Sequence, residues 1–255
     1  MSSIPEWAQQ ISHGVRIDWG AAGAQAIGPG SAALVVIDVL SFTTAVSVAV
    51  EAGTQVLPYP SRERSAVDFA AAHAAELAVG RRAVSAEQPW SLSPAALRRA
   101  PAPARLVLPS PNGSAISAAA HGIPVIAACL RNAAAVAAWI VGQGWGTAER
   151  PVSVIAAGEH WPGRDVLRPA VEDYLGAGAV ITALAERGAG PLSPEALAAK
   201  ACYDGCGDIA GLIGDCASGR ELRSQGFADD VAVAVEVGGS ESVPVLVDGA
   251  FGDAG

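Results

Sequence analysis

Apolar residues fall into short runs separated by Gly, Pro and polar turns, and these runs alternate with Ala-rich stretches of helical spacing. The clearest run is residues 34–47, LVVIDVLSFTTAVS. It reads as a buried β-branched strand, broken at Asp38, that passes through Ser41, Thr43 and Thr44 into an apolar helix stopped by Gly53. Further strands are expected at 15–18 (VRID, an edge strand), 54–58, 105–109, 123–130, 152–158, 231–237 (VAVAVEV) and 243–247. Helices are expected from Ser61 to about Val79, at 94–99, after SPNGS as far as Gly122, behind Asn132 to Gly142, and over 170–188. SPEALAAKA and 207–226 also read as helical, AAGAQAIGPGS (21–31) as a Gly-rich turn and 159–169 as a loop. Strands alternating with helices at this interval predict an α/β fold around a largely parallel or mixed sheet. One domain over 1–255 is expected, in two α/β halves of about 1–148 and 149–255 that meet in GQGWGTAERP.

With 51% hydrophobic and 16% charged residues, the chain can bury a substantial core, which argues against disorder. Its net charge of −9 argues against a nucleic-acid partner, because a phosphate backbone needs basic patches. A small anionic substrate needs only a few arginines in one cleft, so that class stays open. No run of about 18 apolar residues predicts a membrane span, and a homo-oligomer stays open. Met1–Gln10 has neither the basic start nor the apolar stretch of an export signal, so a cytoplasmic location is expected. There the four cysteines would stay reduced, and CYDGC (202–206) is a poor zinc signature without a second pair.

Three strand-to-helix junctions carry polar residues where a strand ends: Asp38 with Ser41, Thr43 and Thr44; Asn112-Gly113-Ser114; and Glu159 with the stretch to Arg168, Glu172 and Asp173. In open α/β sheets such ends gather into one ligand crevice. A carboxylate in a buried strand costs several kcal/mol unless paired, hydrogen-bonded or metal-bound, so Asp38 reads either as a site residue or as a cap of the following helix. Asn112-Gly113-Ser114 reads as an anion-binding turn or an ordinary Asn-Gly turn. Arg168 and Glu172 have the spacing of an i, i+4 ion pair, yet the helix they open is almost wholly apolar, which turns those charges toward one end of the sheet. With Asp38 they form a plausible oxygen cage for Mg²⁺. Arg168, Arg131, Arg164 and Arg220 are the candidate partners for an anion. Phosphate-loop and dinucleotide glycine patterns are absent, as are the double-aspartate phosphatase pattern, the cysteine-phosphatase loop and an H-E-x-x-H zinc site.

The blocks VVIDVLSFTTAVSVAVEAG, WSLSPAAL, LPSPNGSAIS, VIAAGE, RPAVEDYLGAGAVI and SGRELRSQGFADDVAVAVEV, in this order, resemble the 2-phosphosulfolactate phosphatases, the ComB family, from about residue 15 to 247. The resemblance implies a layered α/β/α fold and a Mg²⁺-dependent phosphatase that converts 2-phosphosulfolactate to sulfolactate and phosphate. It matches Asp38 to the strand-end aspartate, Asn112-Gly113-Ser114 to an Asn-Gly-Thr turn, and Glu172-Asp173 to a Glu-Asp pair. Two departures stand out. Ser41 and Phe42 occupy the places of an Arg-Ala pair, and VGRRAVSAEQ replaces a Gly-Glu-Arg-x-Gly block, its glutamate lost or displaced to Glu87. Arg168 is the residue expected to replace the lost charge. The expected chemistry is metal-assisted hydrolysis, with Asp38, Glu172, Asp173 and Glu159 as ligands, Asp38 and Arg168 as catalytic groups, and Ser41, Thr43, Thr44, Asn112, Gly113, Ser114 and Arg220 at the substrate. Asp38 as a phosphate-accepting nucleophile, a different phospho-hydroxy acid as substrate, and a non-catalytic anion-binding protein on the same fold are the alternatives.

Overall fold

A computed structural model describes residues 4–60, 64–120 and 122–255. Its first half contains β1 (Val15–Trp19), α1 (Gly20–Ile27), β2 (Ala33–Ile37), α2 (Phe42–Glu51), β3 (Gln55–Tyr59), α3 (Arg64–Ala72) and β4 (Glu76–Leu77). These are followed by α4 (Pro94–Arg99), β5 (Arg105–Pro109), α5 (Gly113–Ala119), β6 (Val125–Ala128) and α6 (Ala133–Gly142). The remainder is β7 (Val152–Ala156), β8 (Glu159–His160), β9 (Leu167–Arg168), α7 (Val171–Glu186), α8 (Pro194–Asp204), α9 (Ile209–Asp215), α10 (Ala217–Ser224), α11 (Ala228–Ala234), β10 (Pro244–Val247) and β11 (Ala250–Asp253). Short 3-10 turns cover Glu6–Gln9 and Arg81–Ala83.

Nine strands form one mixed, mostly parallel sheet in the order β1-β7-β2-β6-β10-β11-β3-β5-β4. The strands β1, β7, β2 and β6 pair in parallel, as do β3, β5 and β4. Between these blocks the β10–β11 hairpin makes three successive antiparallel pairings, so the second block enters the sheet in the reversed sense. The two-residue period of β2 sorts its side chains. Ala33, Val35 and Ile37 join a core with α6, α7 and α8, whereas Leu34 and Val36 join one with α2, α4, α5 and Phe251. Helices therefore flank both faces. Among the described residues no helix is long and apolar enough to cross a membrane.

The boundary expected near 142–151 divides the sequence but not the sheet, because β7 lies between β1 and β2 and the β10–β11 hairpin bridges the two blocks. The Gly-rich stretch expected as a turn is α1. Its Gly23 serves close packing, since a Cβ there would lie 2.7 Å from that of Asp18. Of the helix expected over 61–79, its start at Ser61 lies outside the described residues. It ends at Ala72, because Ala74 turns left-handed (φ 48°) and the chain enters β4. VAVAVEV does not form a strand; most of it lies in α11, where Asp229 and Asp230 occupy the first turn and Asp230 is buried in polar contacts. The 207–226 stretch breaks at Cys216 into α9 and α10, and the 159–169 loop contains the β8–β9 hairpin. Asn132 precedes α6 but does not cap it; its Oδ1 accepts from the Cys129 amide at 2.9 Å.

Candidate functional site

Asp38 is the residue directly after β2, buried, with both carboxylate oxygens engaged: Phe42 N–H donates to Oδ1 (3.0 Å) and Gly113 N–H to Oδ2 (3.1 Å). Gly113 opens α5, which follows β5 of the reversed block. It reaches Asp38 because α5 packs across β2 and α2, not because parallel strand ends share one rim. Only glycine fits at this crossing, where a Cβ would lie 2.4 Å from Phe42 Cδ1 and 2.9 Å from Asp38 Oδ2. The next polar residues fasten the turn. Thr43 Oγ1 donates to the Asp38 carbonyl (2.8 Å) and accepts from its N–H (3.0 Å), and Thr44 Oγ1 donates to the Val39 carbonyl (2.8 Å). Ser114 Oγ likewise donates to the Leu108 carbonyl at 3.0 Å. These three buried hydroxyls are thus bonded to main chain, and the Gly113 amide is bonded to Asp38.

Asp173, in the first turn of α7, joins two strand ends: Val39 N–H donates to its Oδ1 and Gly158 N–H to its Oδ2, each at 2.8 Å. Its neighbour Glu172 is buried and accepts from the Cys216 thiol at 3.3 Å. Glu159, half-buried in β8, accepts from Asn112 Nδ2 at 2.9 Å. The three junctions therefore converge, with Asp38, Glu159, Glu172 and Asp173 close enough to perturb one another. Burial above all, reinforced by the charge of Glu172, pushes Asp38 up to about 6, while amide bonds from Phe42 and Gly113 and the charge of Arg81 oppose the rise. Burial and then the charge of Asp38 push Glu159 up to about 7, with Asn112 and Arg168 opposing. Asp173 lies well above the usual carboxylate range for the same reasons, burial first, then Asp38 and Glu172. Burial and Glu172 push the Cys216 thiol up to about 11, so it stays a protonated donor. Among the described residues no group of three or more His, Cys, Asp or Glu side chains is arranged to hold a metal ion by itself.

The arginines separate sharply. Arg168 faces Glu159 across the β8–β9 hairpin, donates to Ser218 Oγ (3.2 Å) and lies over the Trp161 ring at 5.9 Å. Arg131 is buried among Ser47, Glu51 and Glu236, where it ties α2 to the segment after α11. Arg164 and Arg220 are exposed, and Arg220 follows the turn that carries Cys216 and Ser218. Arg81, absent from the residues expected at the site, meets Ser41: its Nη2 donates to Ser41 Oγ at 2.6 Å and its Nε to the buried Asp230 at 2.9 Å. The charge beside Ser41 thus comes from Arg81, whereas Arg168 serves the Glu159 side. Glu87 is exposed and accepts from Ser85 Oγ (2.9 Å), so it does not replace the missing glutamate. The signal for Arg81 lay in the departing VGRRAVSAEQ block. Cys216 has no such signal, because its role depends on the turn between α9 and α10 meeting the first turn of α7.

A cavity of about 240 Å³ opens beside Asn112, lined by Trp19, Ala21, Pro111, His160 and Leu167. A surface groove of about 850 Å³ between Tyr59, Phe69, Trp139, Trp145 and Leu246 holds none of the clustered carboxylates. Comparison with curated protein sequences finds no match to the chain. A family model described as 2-phosphosulpholactate phosphatase matches residues 25–249, which include every residue of the acidic cluster and both arginines beside it. The chain belongs to the 2-phosphosulpholactate phosphatase (ComB) family of phosphoric monoester hydrolases.

Proposed function

We propose that the chain hydrolyses a small anionic phosphomonoester with the help of Mg²⁺, and that 2-phosphosulfolactate, yielding sulfolactate and phosphate, is its first candidate substrate. The observation that carries this reading is the convergence of four carboxylates at the ends of β2 and β7, with Asp38 raised toward neutrality by burial and the charge of Glu172, and Glu159 by burial and the charge of Asp38. Two arginines nearby leave the cluster negative. An all-oxygen, electron-rich donor set of this kind suits a hard divalent cation, and Mg²⁺ commonly takes one or two carboxylates and completes its shell with water and substrate phosphate. That habit fits a cluster lacking a self-sufficient group of three ligands. One or two of Asp38, Glu159 and Glu172 would hold it. Asp173, which takes a main-chain N–H from Val39 and from Gly158, holds the two strand ends together. When bound, Mg²⁺ would supply polarisation of the phosphoryl group and an activated water.

The chain's own part is positioning and charge. Phe42 and Gly113 amides fix the Asp38 carboxylate, Asn112 orients Glu159, and Thr43, Thr44 and Ser114 hold the turns that bring them together. Arg168 offsets charge on the Glu159 side, and Arg220 stands on the helix whose first turn meets Glu172 and Arg168. The N–H bonds from Phe42 and Gly113 draw negative charge from the Asp38 carboxylate and hold it in place, which favours attack by water over attack by Asp38 itself. On this reading the domain comprises residues 1–255 in three α/β/α layers.

The test is phosphate release from a panel of small phosphomonoesters, including 2-phosphosulfolactate and 2-phospholactate, with and without Mg²⁺. Mg²⁺-dependent turnover that favours the sulfonate substrate supports the assignment. A preference for phospholactate moves the substrate to another phospho-hydroxy acid. Direct attack by water should leave no covalent species on the protein, whereas labelled phosphate trapped on Asp38 during turnover would establish the aspartyl-phosphate route.

A further inference from the structure

Ser41 immediately precedes α2, three residues beyond Asp38, and its hydroxyl makes no bond to the helix it opens. It is instead met by Arg81, whose guanidinium is held on several sides. Nε donates to Asp230 Oδ2 (2.9 Å), Nη2 donates to Ser41 Oγ (2.6 Å) and approaches the Leu92 carbonyl (3.5 Å), and the ring of Phe227 lies 5.6 Å from Cζ. Asp230 is held in turn. Its other oxygen accepts from the Ser93 hydroxyl and from the Ala95 amide at 3.3 Å, and its side chain is only 2% exposed. Among the described residues nothing accepts from Arg81 Nη1, and the side chain keeps 17% exposure, so that edge of the guanidinium stays open. The positive charge of Arg81 also reaches Asp38.

A pair like this is a poor way to gain stability, since desolvating both charges offsets most of their attraction. It is a good way to hold a planar two-edged donor still, with one edge locked and the other presented to an oxyanion. We propose that Arg81 binds the phosphoryl group that is transferred, its Nη1 edge donating to a phosphoryl oxygen beside Asp38, and that Asp230 and Ser93 are positioning residues that fix the guanidinium. This rests on the phosphatase reading above and adds to it a residue that reads the reacting group.

The test compares wild type with Arg81→Lys, Arg81→Ala and the double variant Arg81→Gln/Asp230→Asn, which removes both charges and leaves no lone buried ion. Thermal unfolding of each is followed alongside kinetics, with inorganic phosphate as the probe for binding. Loss of one donor to a developing oxyanion lowers kcat by about 10²–10³-fold, so kcat/KM should fall to at least that extent in the double variant. Its competitive inhibition constant for phosphate should rise in parallel, with its Tm near that of wild type. Added guanidinium ion should restore part of the turnover of Arg81→Ala, which a purely structural pair would not allow. Asp230→Asn alone should lower kcat more than it raises KM. The proposal is overturned if folded variants keep the wild-type kcat and phosphate inhibition. It is equally overturned if only KM rises, which would put Arg81 on the non-transferred acid. Wild-type protein that neither releases nor binds phosphate removes the underlying reading, and this proposal with it.

Discussion

At the scale of single residues, the crossing of Gly113 with Phe42 leaves no room for a side chain in the candidate site. Gly113→Ala must move either the Phe42 ring or the Asp38 carboxylate, because the new Cβ would stand 2.4 Å from one and 2.9 Å from the other. Overpacking of this kind costs about 1–3 kcal/mol. The urea midpoint should fall accordingly, and activity should fall further because the Asp38 amide bond is displaced. Asp173→Asn presents an N–H₂ to one of two main-chain donors, leaving Val39 N–H or Gly158 N–H unpaired at a cost of about 1–3 kcal/mol. The raised carboxylates also set a pH dependence for the metal-free protein. Asp38 and Glu159 hold protons more tightly when folded than their ordinary values allow, so the folded state binds more protons between about pH 4 and about 7. Stability should be greatest below that window and fall as pH rises through it. Thermal scans from pH 5 to 8 check the slope, and Mg²⁺ should recover the lost Tm at the alkaline end.

At the scale of elements, the β10–β11 hairpin joins two oppositely running parallel blocks. Phe251 anchors it, fully buried and edge-on to Phe42 with ring centroids 6.3 Å apart. Phe251→Ala should cost about 3–5 kcal/mol, as for other large aromatic deletions in a core, read from denaturant unfolding. Because Phe42 also supplies an amide to Asp38, turnover should fall in the same variant while it is still folded. Elements also mark where local pattern misled. Alternating valines in VAVAVEV have strand character, yet burial of Asp230 against Ser93 and Arg81 requires α11. Ala-rich 21–27 is masked by Gly23 and by the Gly28 and Gly30 that follow it, although Gly23 is needed for contact with β1 and not for flexibility.

At the scale of the whole molecule, strands distant in sequence interleave. With β7 between β1 and β2, residues 1–148 expressed alone would leave both strands with open edges and would lack the hairpin beside β6. That fragment should show no cooperative unfolding, whereas the full chain should unfold in one transition with near-UV circular dichroism and fluorescence coinciding. Two transitions in the full chain would mean that the halves are separate units after all.

Sequence alone determined what local chemistry can encode. The β-branched run ending at Asp38, the Pro94–Arg99 helix, the 105–109 strand and the acidic opening of α7 were all legible, because periodicity and turn residues act over a few positions. The family was legible for the same reason, in blocks that each span a turn. Tertiary structure alone decided the sheet order, the reversal of the second block, and which hydroxyls bond to main chain. It also decided that Arg81, forty residues from Ser41, supplies the guanidinium beside it, and that Cys216 donates to Glu172. Those contacts depend on long-range pairing and buried charge balance, whose free energies are settled only when distant elements meet.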